Sequence, residues 1–271
     1  MSRLLQRDVD FDGYRVRTLQ GGEGKPLLLL HGTGPGTSAF GNFSRIFDHL
    51  SEHYSVLAAD LIGFGGSDRK TEEPFFDFDL WHRQATFLLG LMPGKTRSVF
   101  GHSLSGAIAL KLAAENPSIT KVLTTGTLGV RFPVNNALRL TWSYPVSRED
   151  IVRASETLVF DNSVIDETFL SNRIELLRTP GYQEYFSKMF GEDHQSLVDR
   201  ACLDESTLRK ITADVVMMHG REDRPVPADQ TTLSIGKILP NCDVSIIGRC
   251  GHSPSMEHPE KVLGTAKLLF N

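Results

Sequence analysis

A serine, a carboxylate and a histidine stand in this order along the chain, each in a polar turn that follows an apolar run. The serine is Ser103, in Gly101-His102-Ser103-Leu104-Ser105-Gly106, between a β-like run at 96–100 and a helix-like run at 107–114. The segment reads as a nucleophile elbow of the G-x-S-x-G type. In such an elbow a sharp turn between small residues lifts the hydroxyl above a sheet edge, and helix N-terminal N–H groups face developing negative charge. The run at 215–218 leads into His219-Gly220-Arg221-Glu222-Asp223-Arg224-Pro225, where Asp223 is the expected acid and Glu222 the reserve. The run at 244–247 leads into Gly248-Arg249-Cys250-Gly251-His252-Ser253, which puts a histidine just past a strand. A serine hydroxyl is a poor nucleophile until a base takes its proton, and the base needs a carboxylate to fix its tautomer and stabilise the imidazolium. Ser103, Asp223 and His252 supply that set.

The elements that must position these residues alternate in type. Asp12-Gly13, between 9–11 and 14–18, reads as a hairpin. Buried-strand runs follow at 27–30, 55–59, 96–100 and 121–125, a helix at 78–91, and strands again from 215. Between about 130 and 200 the strand runs disappear. Apolar residues there recur at helical spacing, as in Phe169, Ile174, Leu176 and Leu177, and in Tyr182, Tyr185, Phe186 and Met189. The expected fold is α/β, a mostly parallel sheet flanked by helices, with core at 1–129 and 202–271 and a helical cap inserted at 130–201. A cap of this kind roofs the site and excludes water.

The loop His31-Gly32-Thr33-Gly34-Pro35-Gly36 after the run at 27–30 completes a resemblance to the α/β-hydrolases. The resemblance implies an oxyanion hole made by the N–H groups of Thr33 and Leu104. With Ala39-Phe40-Gly41-Asn42-Phe43 and Gly248-Arg249-Cys250-Gly251-His252, the chain is similar to the meta-cleavage product hydrolases. That family cleaves a carbon–carbon bond in 2-hydroxy-6-oxo-2,4-dienoates made by ring fission of catechols. Carried over residue by residue, the resemblance makes Asn42 and Arg173 substrate-binding positions. It departs from the family at His102, where Asn commonly precedes the nucleophile, and at Ser253, where Trp commonly follows the histidine. His102 and Ser253 therefore also face the dienoate end, His102 as a hydrogen-bond donor. His102 matches the His-Ser pair of esterases and lactonases as well, so an ester or lactone hydrolase is the alternative. The third reading, a ligand receptor on the same fold, is opposed by the intact triad. His31 is read as organising the oxyanion loop, His219 as structural, and Asp60 with Ser67 as a loop-stabilising pair.

Composition narrows the partners. A net charge of −4 over 271 residues leaves no basic footprint for nucleic acid. The three cysteines form no C-x-x-C pair, which suits a reducing cytoplasm. The start at 1–8 lacks an apolar signal core, and no run approaches the ~18 apolar residues of a membrane span. The nine histidines are scattered without metal-ligand spacing, and the glycine-rich loops lack a P-loop Lys-Ser/Thr. No metal and no cofactor are expected. The expected partner is a small-molecule substrate, with a homodimer compatible.

Overall fold

Asp12 and Gly13, at φ 56° and 80°, reverse the chain between β1 (Leu5–Phe11) and β2 (Tyr14–Gly21), as an Asp-Gly pair favours. The structure is a computed structural model that describes residues 4–191 and 193–271. Residues 1–3, part of the start read above for a signal core, lie outside the described residues. The remaining strands are β3 (Lys25–Leu30), β4 (Tyr54–Ala59), β5 (Arg97–His102), β6 (Ile119–Thr125), β7 (Asp214–Gly220) and β8 (Cys242–Ile247). They form one eight-stranded sheet in the order β1-β2-β4-β3-β5-β6-β7-β8. β2 runs antiparallel to β1 and β4, and every pair from β4 to β8 is parallel. The expected α/β architecture is therefore the observed one.

Parallel strands covered on both faces read as continuous apolar runs, and β3 shows why. Leu28 and Leu30 enter one core layer while Leu27 and Leu29 enter the other, all without solvent exposure. Helices α1 (Ala39–Phe43) and α2 (Phe47–Ser51) follow β3, α3 (Phe78–Leu91) follows β4, and α4 (Leu104–Glu115) follows β5. Asp77 caps α3 by accepting the Leu80 N–H. Between β6 and β7 come α5 (Asn136–Thr141), α6 (Arg148–Thr157), α7 (Glu167–Leu177), α8 (Tyr182–Phe190), α9 (His194–Arg200) and α10 (Glu205–Leu208). After β7 come α11 (Thr232–Gly236), α12 (Pro254–Glu257) and α13 (Pro259–Phe270). Buried residues of α3 and α4 join the layer of Leu28, and those of α1, α2 and α13 join the layer of Leu27.

The helices inserted after β6 form the cap, and α10 already packs back on α4. Ser147 and Asp150 make a reciprocal capping box at the start of α6. α8 carries the cap's apolar face: Phe186 and Phe190 stack at 4.6 Å, and Phe190 meets Trp142 of the cap at 5.2 Å and Phe76 of the core at 5.6 Å. Leu170, Tyr185, Phe186 and Met189 thus belong to the same apolar cluster as the sheet. Among the described residues no helix is long and apolar enough to cross a membrane.

Candidate active site

The residues singled out for chemistry lie past the carboxyl ends of β3, β5, β7 and β8, where open α/β sheets place their ligand crevices. Ser103 follows β5 directly and caps α4, with φ 59° and ψ −125°. A non-glycine residue in that region costs about 1–3 kcal/mol and persists only where its surroundings over-determine it. Here the Ser103 N–H donates to the Thr125 carbonyl at 2.8 Å, while its carbonyl accepts from Gly106 N–H at 2.9 Å and Leu128 N–H at 3.2 Å. The elbow departs from strict G-x-S-x-G, because Ser105 stands at the second glycine position and Gly106 follows it. Ser105 is tolerated because its hydroxyl is buried and donates to the His31 carbonyl at 2.6 Å, tying the elbow to the oxyanion loop. The glycine is needed one residue later, where a Cβ on Gly106 would lie 2.7 Å from the Thr127 side chain.

Ser103, His252 and Asp223 form the expected triad. Ser103 Oγ lies 2.9 Å from His252 Nε2, and His252 Nδ1 lies 2.7 Å from Asp223 Oδ2. The other carboxylate oxygen accepts the Val226 N–H at 2.9 Å. Burial alone would raise the Asp223 pKa, but His252 and His219 outweigh it and hold the carboxyl well below the usual range. Asp223 is therefore the acid. Glu222 instead accepts the Cys250 N–H at 3.0 Å and pairs with Arg221, bracing the loop that carries His252. That loop also docks on the cap: the His252 N–H donates to the Leu158 carbonyl at 2.7 Å.

The oxyanion loop approaches the elbow closely. A Cβ on Gly32 would stand 2.9 Å from Ser103 Cβ, a distance that only glycine avoids. His31 is fully buried; its Nδ1–H donates to the Gly32 carbonyl at 2.6 Å and its Nε2 accepts the Leu61 N–H at 2.9 Å. Asn42 Oδ1 accepts the Gly32 N–H at 2.8 Å. The main-chain N–H groups of Thr33 and Leu104 have no acceptor among the described residues, and the Thr33 hydroxyl is buried and unpartnered. Asp60 anchors the same region, its oxygens accepting the Ala39 and Gly66 N–H groups at 2.7 Å each. Ser67 bonds the Asp60 main-chain carbonyl at 2.7 Å rather than its side chain.

His102 lines the cavity beside Ser103, with one ring nitrogen turned to Thr125. Its Nδ1 faces the Thr125 carbonyl at 3.2 Å and the Thr125 hydroxyl at 3.0 Å. Burial, and then the charge of the neighbouring His252, pull the pKa of His102 down to about 3, so the ring stays neutral. Its ring lies 5.0 Å from that of His252.

Arg173, on α7, reaches across from the cap to the oxyanion loop. Its Nε–H donates to the Pro35 carbonyl at 2.8 Å, Nη2 lies 3.4 Å from Thr37 Oγ1, and the guanidinium sits 5.4 Å from the Phe169 ring centre. Burial pulls its pKa down to about 10, and among the described residues no carboxylate pairs with it. Ser103, His252, His102, Ser253, Asn42, Thr33 and Arg173 all line one cavity of about 50 Å³, closed by Leu138, Trp142, Val159 and Ile165 of the cap region. Asn42, Phe169, Arg173 and Met256 also line an adjoining cleft of about 300 Å³ between α1 and α7. Arg45, missed in the sequence, stands in that cleft and bonds the Val164 and Met256 carbonyls at 3.0 and 2.9 Å. Nothing local in the sequence marks it, since its partners lie in the cap and past β8. No group of three or more metal-ligating side chains occurs among the described residues.

Residues 27–265 match the model of the alpha/beta hydrolase family. The chain is 30% identical to the 2-hydroxymuconate semialdehyde hydrolase of Pseudomonas sp. strain CF600, over 94% of this chain and 89% of that protein. It is 28% identical to the 2-hydroxy-6-oxo-2,4-heptadienoate hydrolase of Pseudomonas putida F1, over 87% of this chain and 85% of that one. Among solved structures, a meta-cleavage product hydrolase from Pseudomonas fluorescens IP01 superposes with a TM-score of 0.92 at 28% identity, covering 98% of this chain and 97% of that one. The 2-hydroxy-6-oxo-6-phenylhexa-2,4-dienoate hydrolase of Rhodococcus sp. RHA1 superposes with a TM-score of 0.90 at 26% identity, covering 100% and 99%. Fold, triad geometry and relatives agree, and the chain belongs to the alpha/beta hydrolase family as a homologue of the meta-cleavage product carbon–carbon bond hydrolases.

Proposed function

We propose that this enzyme hydrolyses the carbon–carbon bond of a 2-hydroxy-6-oxohexa-2,4-dienoate, releasing a 2-hydroxydienoate and a carboxylic acid. The observation that carries the reading is Arg173. A guanidinium drawn out of water beside a serine triad, with no carboxylate partner among the described residues, has donors free for a substrate carboxylate, which it can bind bidentately. Asn42 spends its carbonyl on Gly32 and keeps its amide N–H groups for the same end of the substrate. His102 lines the same cavity and supplies a further polar group at that end. Ser253, at the cavity wall, completes the substrate-binding set.

In this mechanism the dienol first ketonises. His252 then takes the proton of the nucleophile, Ser103 Oγ or a water held in its place, as that oxygen attacks the distal carbonyl. Thr33 and Leu104 N–H groups hold the oxyanion, and the carbonyl re-forms as the carbon–carbon bond breaks, its electron pair passing into the ketonised fragment, which takes the proton held by His252 and leaves as the 2-hydroxydienoate. With Ser103 as nucleophile, one water hydrolyses the acyl-enzyme. Residues 130–201 form the cap in this reading, with core on either side. The charge and cysteine pattern support a cytoplasmic enzyme with a small-molecule substrate and no nucleic acid partner, and they are compatible with a homodimer.

The test compares coloured ring-fission dienoates with p-nitrophenyl esters, in the wild type and in Arg173→Ala. Arg173→Ala is expected to lower kcat/KM on the dienoate by about 10²-fold, given the ~1.5–3 kcal/mol of a charge-assisted bond, and to spare a small neutral ester. Equal losses on both, or none on the dienoate, would favour the ester or lactone reading to which the His102-Ser103 pair points.

A further inference from the structure

Asp223 is held by a second histidine. His219, near the end of β7, is fully buried and lies with Nε2 2.9 Å from Asp223 Oδ2 and 2.7 Å from the Val226 carbonyl. Its Nδ1 lies 2.7 Å from the hydroxyl of Thr232, itself fully buried at the start of α11. These contacts settle the protons. The Val226 carbonyl can only accept, so Nε2 carries a hydrogen. The Thr232 hydroxyl meets no other partner among the described residues, and an undonated buried O–H is costly, so it donates to Nδ1. His219 thus presents its Nε2–H to Val226 and to the same Asp223 oxygen that receives His252.

We propose that His219 is a positioning residue of the triad. With Oδ1 tied to the Val226 N–H and Oδ2 tied to His219, the carboxylate cannot rotate about its own axis, and its second oxygen stays aimed at His252 Nδ1. Thr232 continues the chain on the far side by holding His219 in the tautomer that donates. Thr232, His219, Asp223, His252 and Ser103 make one hydrogen-bonded line from α11 to the nucleophile. In the sequence His219 reads as structural, because the turn from His219 to Asp223 does not show that both side chains fold inward.

The inference rests on the triad and not on which bond the enzyme cuts, so both a dienoate and a p-nitrophenyl ester serve as substrates in its test. His219→Met removes the donor at similar length, and His219→Gln places an amide N–H near the lost Nε2–H. His219→Met is expected to lower kcat by roughly 10- to 100-fold, the scale of a small misplacement of a catalytic group, with KM within about twofold. The loss is the same on both substrates, and His219→Gln regains most of it. In proton NMR the low-field signal of the Asp223–His252 bridge shifts or broadens in His219→Met and returns in His219→Gln. Thr232→Val, a milder change, moves kcat and that signal in the same direction. Unchanged kcat in His219→Met, or equal impairment of both His219 variants with the bridge signal in its wild-type place, overturns the proposal and leaves His219 a packing residue. If neither His219 variant folds, a Thr232→Val enzyme with wild-type kcat and signal overturns it. A substrate-dependent loss would also count against it, whereas failure of the dienoate alone to turn over touches only the function proposed above.

Discussion

Gly32→Ala tests how closely the oxyanion loop and the elbow are fitted. The new methyl would stand 2.9 Å from Ser103 Cβ and 3.0 Å from His102 Cδ2, against about 3.5–4.0 Å for comfortable carbon contacts. Neither neighbour can yield. Ser103 is pinned by main-chain bonds to Thr125, Gly106 and Leu128, and His102 is bonded to Thr125. The loop itself must retreat, by roughly 0.5–1 Å to restore contact distance. Oxyanion donors act over a narrow range of about 2.7–3.1 Å, so that retreat withdraws the Thr33 N–H, and losing one such donor costs about 10²–10³ in kcat. Overpacking adds a stability loss of about 1–3 kcal/mol. The measurement is kcat and KM on the best substrate from the panel, with a thermal melt alongside and affinity for a boronate as a tetrahedral mimic. The expected result is a kcat loss of two to three orders with KM little changed, a melt lowered by several degrees, and boronate affinity reduced in parallel. A Gly32→Ala enzyme within about threefold of wild-type kcat, or one impaired only in KM, would refute the fitted-hole reasoning.

Ser103→Ala should lose on the order of 10³-fold or more in kcat while melting within a few degrees of wild type, because the three main-chain bonds of its turn do not use Oγ; more than a tenth of wild-type activity would dismiss it as the nucleophile. Asp223→Asn should cost far more activity than Glu222→Gln, since only Asp223 touches His252, and Glu222→Gln should show mainly as a lower melt; the reverse ranking in steady-state kinetics would reassign the acid. His102 supplies a pH signature. A histidine whose folded pKa is lowered binds its proton mainly in the unfolded state, so its contribution is fully present above about pH 6.5 and drains as pH falls toward about 3, at about 1.4 kcal/mol per pH unit. Denaturant unfolding of His102→Asn between pH 6 and 4 should be flatter than wild type by that slope, and identical slopes would mean that His102 is protonated in the native state.

Strand ends proved the most legible part of the chain. Each triad member follows an apolar run that is a parallel strand, so type, order and turn chemistry were readable from local sequence. The helix at 78–91 and the Asp-Gly hairpin were readable for the same reason. What escaped depends on contacts across the fold. Ser105 passes for an elbow glycine only because the His31 carbonyl waits for its hydroxyl. That His102 stays neutral follows from its burial beside His252, which no local pattern shows. The elbow sequence carries no sign that Ser103 ends up buried. Apolar periodicity marks the faces of α7 and α8 but not their register over the sheet, so that Arg173 lines the cavity follows from the fold and not from local pattern. Arg45 carries no local signal at all.

The cap touches the base itself. Leu158 receives the main-chain N–H of His252, Gly251 lies so close to Leu158 and Val159 that a Cβ there would come within 2.8 Å, and Glu257 accepts the Phe160 N–H at 2.7 Å. Roof and catalytic machinery therefore share one mounting. Displacing residues 158–160 would break the bond that seats the imidazole, so a substitution that loosens this footing would disarm the serine without touching it. A cap borrowed from a relative would have to bring its own footing for His252, and widening the substrate range by cap exchange would show first as lost turnover rather than lost affinity.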